Sequence, residues 1–218
     1  MRTDWDALTR EVTACRACAE LAATRQRVVV GDPGPGFRVD VGGARLRQNP
    51  APPALPGTRL AFVGEAPGAQ EDAAGLPFVG KAGQLLDQLL QDSGMARADV
   101  AVLNVLKCRP PGNRRPSREE IARCRPYLER QLGLLQPQLV VALGLTAVAW
   151  FLSGRGAGAG RTTLAGARGV VHEARGYRVI ATYHPSAAIR FGPSGAPLAA
   201  LREDLDFAAR VLAGVAST

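Results

Sequence analysis

The stretch Arg59-Leu60-Ala61-Phe62-Val63-Gly64 is a short apolar run that ends at glycine. With no polar alternation, it reads as a strand buried on both faces, as a parallel sheet requires. Three further runs have the same character: Val100 to Cys108, Gln138 to Gly144 and Tyr177 to Pro185. Helical patterns separate them. Leu85, Leu86, Leu89 and Leu90 recur at helical spacing within 81–93, and Gly94 can stop that helix. Ser117 to Glu120 is a capping box that opens another helix. Pro126 predicts a kink or restart just after Cys124. Leu145 to Ser153 continues the third strand as a helix, and Leu198 to Leu212 closes the chain as an amphipathic helix. Ahead of the first strand, Asp4 to Arg25 reads as one helix capped by Thr3 or Asp4. Four short strands alternating with helices predict an α/β fold. Its three layers, α/β/α, enclose a central four-stranded parallel sheet.

The 218 residues, 46% of them hydrophobic, fit one domain over 1–218. This composition excludes a mainly disordered chain, a fibrous repeat and a coiled coil. Gly31 to Gly57 stands apart, with six glycines and six prolines. It reads as an insertion without lasting regular structure, apart from a short strand at Phe37 to Val41. Arg155 to Arg168 reads as a Gly- and Ala-rich loop. No uncharged apolar run reaches the ~18 residues of a membrane span. The opening residues carry charges where a secretory leader needs an apolar stretch, so a cytoplasmic protein is expected.

The net charge is +8, and Lys81 and Lys107 are the only lysines among the 27 basic residues. Arginine grips phosphate with a planar fork. GC-rich coding also favours arginine, but the sign of the balance points to a polyanionic partner. The charge is concentrated locally: Lys107, Arg109, Arg114, Arg115, Arg118, Arg123, Arg125 and Arg130 face only Glu119, Glu120 and Glu129 in that segment. Such a stripe is the electrostatic footprint of nucleic-acid binding, or else one solvated helix face.

Cys15, Cys18, Cys108 and Cys124 are the four cysteines. Disulfides are not expected in a reducing compartment. Four thiolates suit an iron–sulfur cluster or a structural zinc. A zinc ribbon more commonly shows two tight C-x2-C knuckles, and the second pair here is loose. Cys108 and Cys124 bracket most of the basic stripe, so a metal centre there would shape it without any need for electron transfer.

Ligands of open parallel sheets bind beyond the carboxyl ends of the strands. Here those ends carry Gly64–Gly68, Asn104–Cys108, Gly144 and His184–Ser186, which hold most of the chemically capable residues. Read alone, Asn104 also fits a strand-end turn, and Phe78 also fits the core. Three segments decide further: Gly64-Glu65-Ala66-Pro67-Gly68-Ala69-Gln70-Glu71-Asp72 with Gly75 to Gly80, Leu103 to Arg114, and His184-Pro185-Ser186. Together with the four cysteines, and in this order, they closely resemble the family-4 uracil-DNA glycosylases. These are the iron–sulfur members of their superfamily. The resemblance runs from Cys15 to about Leu212.

It implies the uracil-DNA glycosylase fold and hydrolysis of the N-glycosidic bond of deoxyuridine in DNA, single- or double-stranded, with the base flipped out of the stack. It implies a monomer acting in DNA repair, with a structural 4Fe-4S cluster on Cys15, Cys18, Cys108 and Cys124. Phe78 would stack on the uracil. Asn104 would read its N3–H and O4 and reject cytosine, whose pattern is reversed. His184 would donate to O2 as negative charge grows on the leaving base. Glu65 would orient the attacking water and face the developing positive charge on the sugar. Glu71 would lie near the C5 edge and help exclude thymine, while small Ala66 and Gly68 let the backbone approach the base. Lys107, Arg109, Arg114, Ser186 and Arg190 would meet the DNA.

Two features depart from the family pattern. The 31–57 stretch is longer than the usual connection. A sister group carries a basic insertion with a sugar-trapping histidine, but Cys108 to Arg114 contains none, which favours turnover. Two other classes compete. A non-catalytic DNA-binding module would not need Glu65, Asn104 and His184 at strand ends. A flavodoxin-like redox protein would not place Glu65 where a nucleotide phosphate sits.

Overall fold

A computed structural model describes residues 2–34, 59–153 and 163–214. Two helices, α1 (Arg2–Ala14) and α2 (Ala19–Thr24), precede the sheet. The chain continues through β1 (Leu60–Gly64), α3 (Ala69–Ala74), α4 (Lys81–Asp92), β2 (Val100–Asn104), α5 (Arg118–Leu135), β3 (Leu139–Leu143) and α6 (Leu145–Leu152). It ends with α7 (Leu164–Ala167), β4 (Val171–Ala174), β5 (Tyr177–Thr182), α8 (Pro185–Phe191) and α9 (Ala196–Leu212). The strand order is β2-β1-β3-β5-β4, parallel except for β4, which runs antiparallel to β5.

The sheet therefore has five strands, where the sequence predicts four. The extra strand, β4, is short, half-exposed and polar in part, so it lacks the apolar run of a buried strand. A two-residue hairpin, Arg175–Gly176, joins it to β5 with both residues at positive φ. The four parallel strands match the predicted runs.

Alternation along the strands builds the three layers. Ala61, Val63, Leu103, Val140 and Ala142 face one side, under Trp5 of α1, Leu128 and Leu132 of α5, and Val148 and Phe151 of α6. Leu60, Phe62, Val102, Val141 and Ile180 face the other, under Leu86 and Leu90 of α4 and Leu201 and Leu205 of α9. Every residue of β1, β2 and β3 is buried, which explains their unbroken apolar reading.

Other expectations change in detail. The predicted N-terminal helix breaks over 15–18, so the C-x2-C segment forms the turn between α1 and α2. The second strand stops at Asn104 because the next two amides, of Val105 and Leu106, both bond to the end of β1, at Gly64 O and Glu65 O. Helix α5 runs unbroken through Pro126. Pro126 and Ala122 are both exposed, so the carbonyl that loses its bond to the proline faces solvent. The short helices α3, α7 and α8 have too few residues for a periodic signal. The strand predicted at 37–41 and most of the 31–57 stretch lie outside the described residues. Among the described residues no helix is long and apolar enough to cross a membrane.

Candidate functional site: a strand-end pocket beside a cysteine centre

The strand order reverses between β1 and β3, which is where an open parallel sheet receives its ligand. Asn104 ends β2 at this edge and is 2% exposed. Neither its Oδ1 nor its Nδ2 has a hydrogen-bond partner. Leaving such groups unpaired costs about 1–3 kcal/mol each, so a buried amide with both atoms free is built for a ligand. Gly64 lets the neighbours close in. A Cβ there would lie 2.5 Å from Asn104 Oδ1 and 2.7 Å from the Phe78 ring. The Phe78 and His184 rings follow at 5.4 Å between centroids, tilted by 33°. Amide, phenyl and imidazole are thus neighbours at the strand ends.

His184 precedes α8, and its Nδ1 accepts the backbone N–H of Ser186 at 3.2 Å. A backbone N–H only donates, so the neutral ring carries its proton on Nε2. The Ser186 hydroxyl lies 2.8 Å from the same Nδ1. The packed surroundings push the pKa of His184 down to about 4, partly opposed by the Glu71 charge. At neutral pH the side chain is therefore a fixed, uncharged Nε2–H donor. Gly144, at φ +83°, brings the end of β3 against it, since a Cβ there would lie 3.1 Å from His184 Cβ.

Glu65 follows β1 and is half-buried. Its Oε2 accepts the hydroxyl of Thr146, in the first turn of α6. Thr146 carries no signal in the sequence, because only the folded sheet brings it beside Glu65. Ala66, also half-buried, continues this loop.

In the structure the Glu71 carboxylate is bonded to backbone amides. Its Oε1 accepts Val79 N–H at 3.0 Å and Gly80 N–H at 2.8 Å, and its Oε2 accepts Gly68 N–H at 3.1 Å. The carboxylate ties the loop after β1 to the loop that carries Phe78. That loop is strained: Phe78 sits at φ +53°, rare for a bulky side chain. Gly83 of α4 packs against it so closely that a Cβ would lie 1.7 Å from Phe78 O.

The expected DNA contacts separate. Lys107 is withdrawn from the surface: it is 1% exposed and donates to Asn104 O at 2.7 Å. The hydrophobic runs around Asn104 enclose it, and burial lowers its pKa to about 8 against the opposing pull of Cys124 and Cys108. Arg114 is tied to Glu20 at 2.6 Å and to Glu120 at 2.7 Å. Arg109 gives its Nε to Asn113 Oδ1 at 2.8 Å, leaving the guanidinium tip. Arg190 is exposed beside Phe191, and Ser186 is exposed next to His184.

Cys15, Cys18, Cys108 and Cys124 line a single cavity with Lys107, Arg123 and Tyr127. None is in a disulfide. No three His, Cys, Asp or Glu among the described residues are gathered as ligands of one ion. The four thiols that line this one hollow are nonetheless the ligand type of an iron–sulfur cluster or a structural zinc. Burial raises the pKa of Cys18 and Cys108 and pushes Cys124 up to about 11, so a cationic centre would be needed to draw out the thiolates. Arg25 donates to Cys108 Sγ at 3.0 Å and to Cys15 O at 2.6 Å, fastening the two cysteine segments together.

Taken together, the pocket offers a flat ring a stacking face, a paired donor and acceptor, a neutral donor for growing negative charge, and a carboxylate for water or positive charge. Comparison with known proteins identifies the family. The uracil DNA glycosylase superfamily matches residues 52–206. A type-4 uracil-DNA glycosylase of Archaeoglobus fulgidus is 38% identical over 188 residues, 84% of this chain and 82% of that protein. The type-4 enzyme of Thermotoga maritima is 46% identical over 134 residues, 61% of this chain and 67% of its own. That of Pyrobaculum aerophilum is 48% identical over 133 residues, 59% and 67% respectively. With a superfamily match over most of its length and a type-4 relative matched over more than four fifths of both chains, the chain belongs to the type-4 uracil-DNA glycosylases.

Proposed function

We propose that this protein excises uracil from DNA by hydrolysis and leaves an abasic site. The observation that carries the reading is the buried amide of Asn104, partnerless at both polar atoms and faced by Phe78 and His184. A flipped uracil stacks on Phe78 and gives N3–H and O4 to Asn104. Cytosine offers the reversed pattern and leaves both groups unpaired, at about 1–3 kcal/mol each. The C1′–N1 bond breaks with its electron pair moving onto the base. His184 Nε2–H meets the charge at O2, and Glu65 steadies the sugar cation. Water adds to C1′, and its proton passes to Glu65. No lyase step follows. Glu71 acts here through the loop of Phe78, which it holds.

The four cysteines would hold a 4Fe-4S cluster, which when bound supplies a scaffold rather than electrons. Support comes from the gathering of all four cysteines around one cavity and from the family to which the chain belongs. The DNA backbone would meet Arg109, Ser186 and Arg190. On this reading the protein is a monomer of the cytoplasm, as the charged opening residues and the family resemblance imply. One sheet joins all the described strands, which supports a single domain with 31–57 inserted.

The test is incubation with an oligonucleotide carrying one uracil, followed by alkali. Scission at the uracil, and none in a cytosine control, is expected. Binding without scission would instead identify a non-catalytic module. The purified protein should be yellow-brown, and a colourless protein containing zinc would overturn the cluster assignment.

A further inference from the structure

Lys107 joins the two functional regions. Its ammonium lies in the wall of the cysteine cavity and donates 2.7 Å to the backbone carbonyl of Asn104, whose side chain faces the pocket. It is 1% exposed and has no carboxylate partner among the described residues. A buried ammonium is retained only where negative charge balances it. Cys108, in the loop after β2, and Cys124, on α5, line the same cavity as Lys107. Four thiolates around a metal centre would provide that charge. The backbone here is held as the last residue of β2 and by the amides of Val105 and Leu106, which bond to Gly64 O and Glu65 O, and Lys107 adds the bond to the Asn104 carbonyl.

We propose that Lys107 is a positioning residue through which the cysteine centre holds the Asn104 amide in register with the base. The centre then serves the pocket itself, beyond shaping the basic stripe. Loss of the centre would leave the ammonium unbalanced, free the Asn104 carbonyl and slacken the amide. This rests on Asn104 as the base-reading group, so the test includes a readout that needs no substrate.

The holoenzyme is compared with Lys107→Met and Lys107→Arg at equal iron content. Backbone hydrogen exchange is followed at residues 104–106 and, as a reference, at β3. Lys107→Met should keep undamaged-DNA affinity within about twofold. Exchange at 104–106 should rise without change in β3, and the ratio of uracil to cytosine excision should fall about tenfold. Lys107→Arg should recover most of that ratio. Iron-replete Lys107→Met with unchanged exchange and unchanged ratio overturns the proposal.

Should Lys107→Met not fold, stripping iron from the wild type decides. A rise confined to 104–106 supports the proposal. No rise, or an equal rise in β3, overturns it, because the centre would then be idle or a general staple. Absence of uracil excision by the wild type would sink the functional reading alone, since the exchange result stands apart from it.

Discussion

Asn104 is held in an arrangement that stability alone does not favour, since both its polar atoms are buried and unpaired. Asn104→Asp replaces a donor and acceptor with a carboxylate that only accepts. Uracil excision should fall at least about tenfold, and the preference over cytosine should shrink; single-turnover rates on both substrates measure this, and unchanged rates would remove Asn104 from the site. His184→Ala should lower turnover by roughly 10²–10³, the scale of a lost oxyanion donor. The same histidine gives a pH signature. Its folded pKa, about 4, lies below the ordinary value of 6.5, so the unfolded chain binds the extra proton first. Its contribution to stability is complete above pH 6.5 and lost as pH falls towards 4. Denaturation midpoints of the wild type and His184→Gln should therefore converge over that window; parallel curves would count against the half-buried neutral ring. At this scale the sequence shows which residues stand at strand ends. It does not show Thr146 under Glu65 or the burial of Lys107, because both depend on which distant element folds over them.

The elements that hold Phe78 are short, and their meaning lies in how they lock together. Helix α3 begins with the Glu71 clamp on Gly68, Val79 and Gly80. Asp72, next to it and 1% exposed, accepts the backbone N–H groups of Gln26 and Arg27 beyond α2. One turn of helix thus ties the stacking loop to the cysteine segment. Glu71→Ala should cost about 2 kcal/mol, as charge-assisted bonds to backbone amides are lost. It should also raise KM more than the stability loss explains, because Phe78 would relax from its left-handed backbone. Urea denaturation together with steady-state kinetics would show this, and a stable variant with native KM would contradict it. The strands and the long helices α4, α5, α6 and α9 are legible because apolar periodicity sets them. The clamp, α3 and β4 are not, since each is fixed by contacts remote in sequence or by a turn without an Asn-Gly signal.

Across the whole molecule, the basic stripe divides into two populations that the sequence cannot tell apart. Arg114 pairs with Glu20 and Glu120, Arg123 with Glu119, and Arg130 with Glu11. Arg123 also donates to Ala17 O. These arginines stitch α5 to the N-terminal cysteine segment. Arg115, Arg118 and Arg125 are exposed, and their side chains have no partner among the described residues. Helix α5 begins shortly after the chain leaves β2 at Asn104, so Arg115 and Arg118 lie on the edge of the sheet that carries the pocket. Each phosphate neutralised on duplex DNA adds about 0.9 to the slope of log affinity against log salt. Replacing Arg115, Arg118 and Arg125 together by alanine should therefore lower that slope by roughly 2–3 on undamaged duplex while leaving the melting temperature nearly unchanged. Arg114→Ala should do the reverse, with an unaltered slope and a lower melting temperature as Glu20 and Glu120 lose their partner. The two variants measured side by side separate a nucleic-acid face from an internal brace. An equal slope in all three proteins would mean that the stripe serves the fold alone, and that DNA is gripped from the loop of His184 and Arg190.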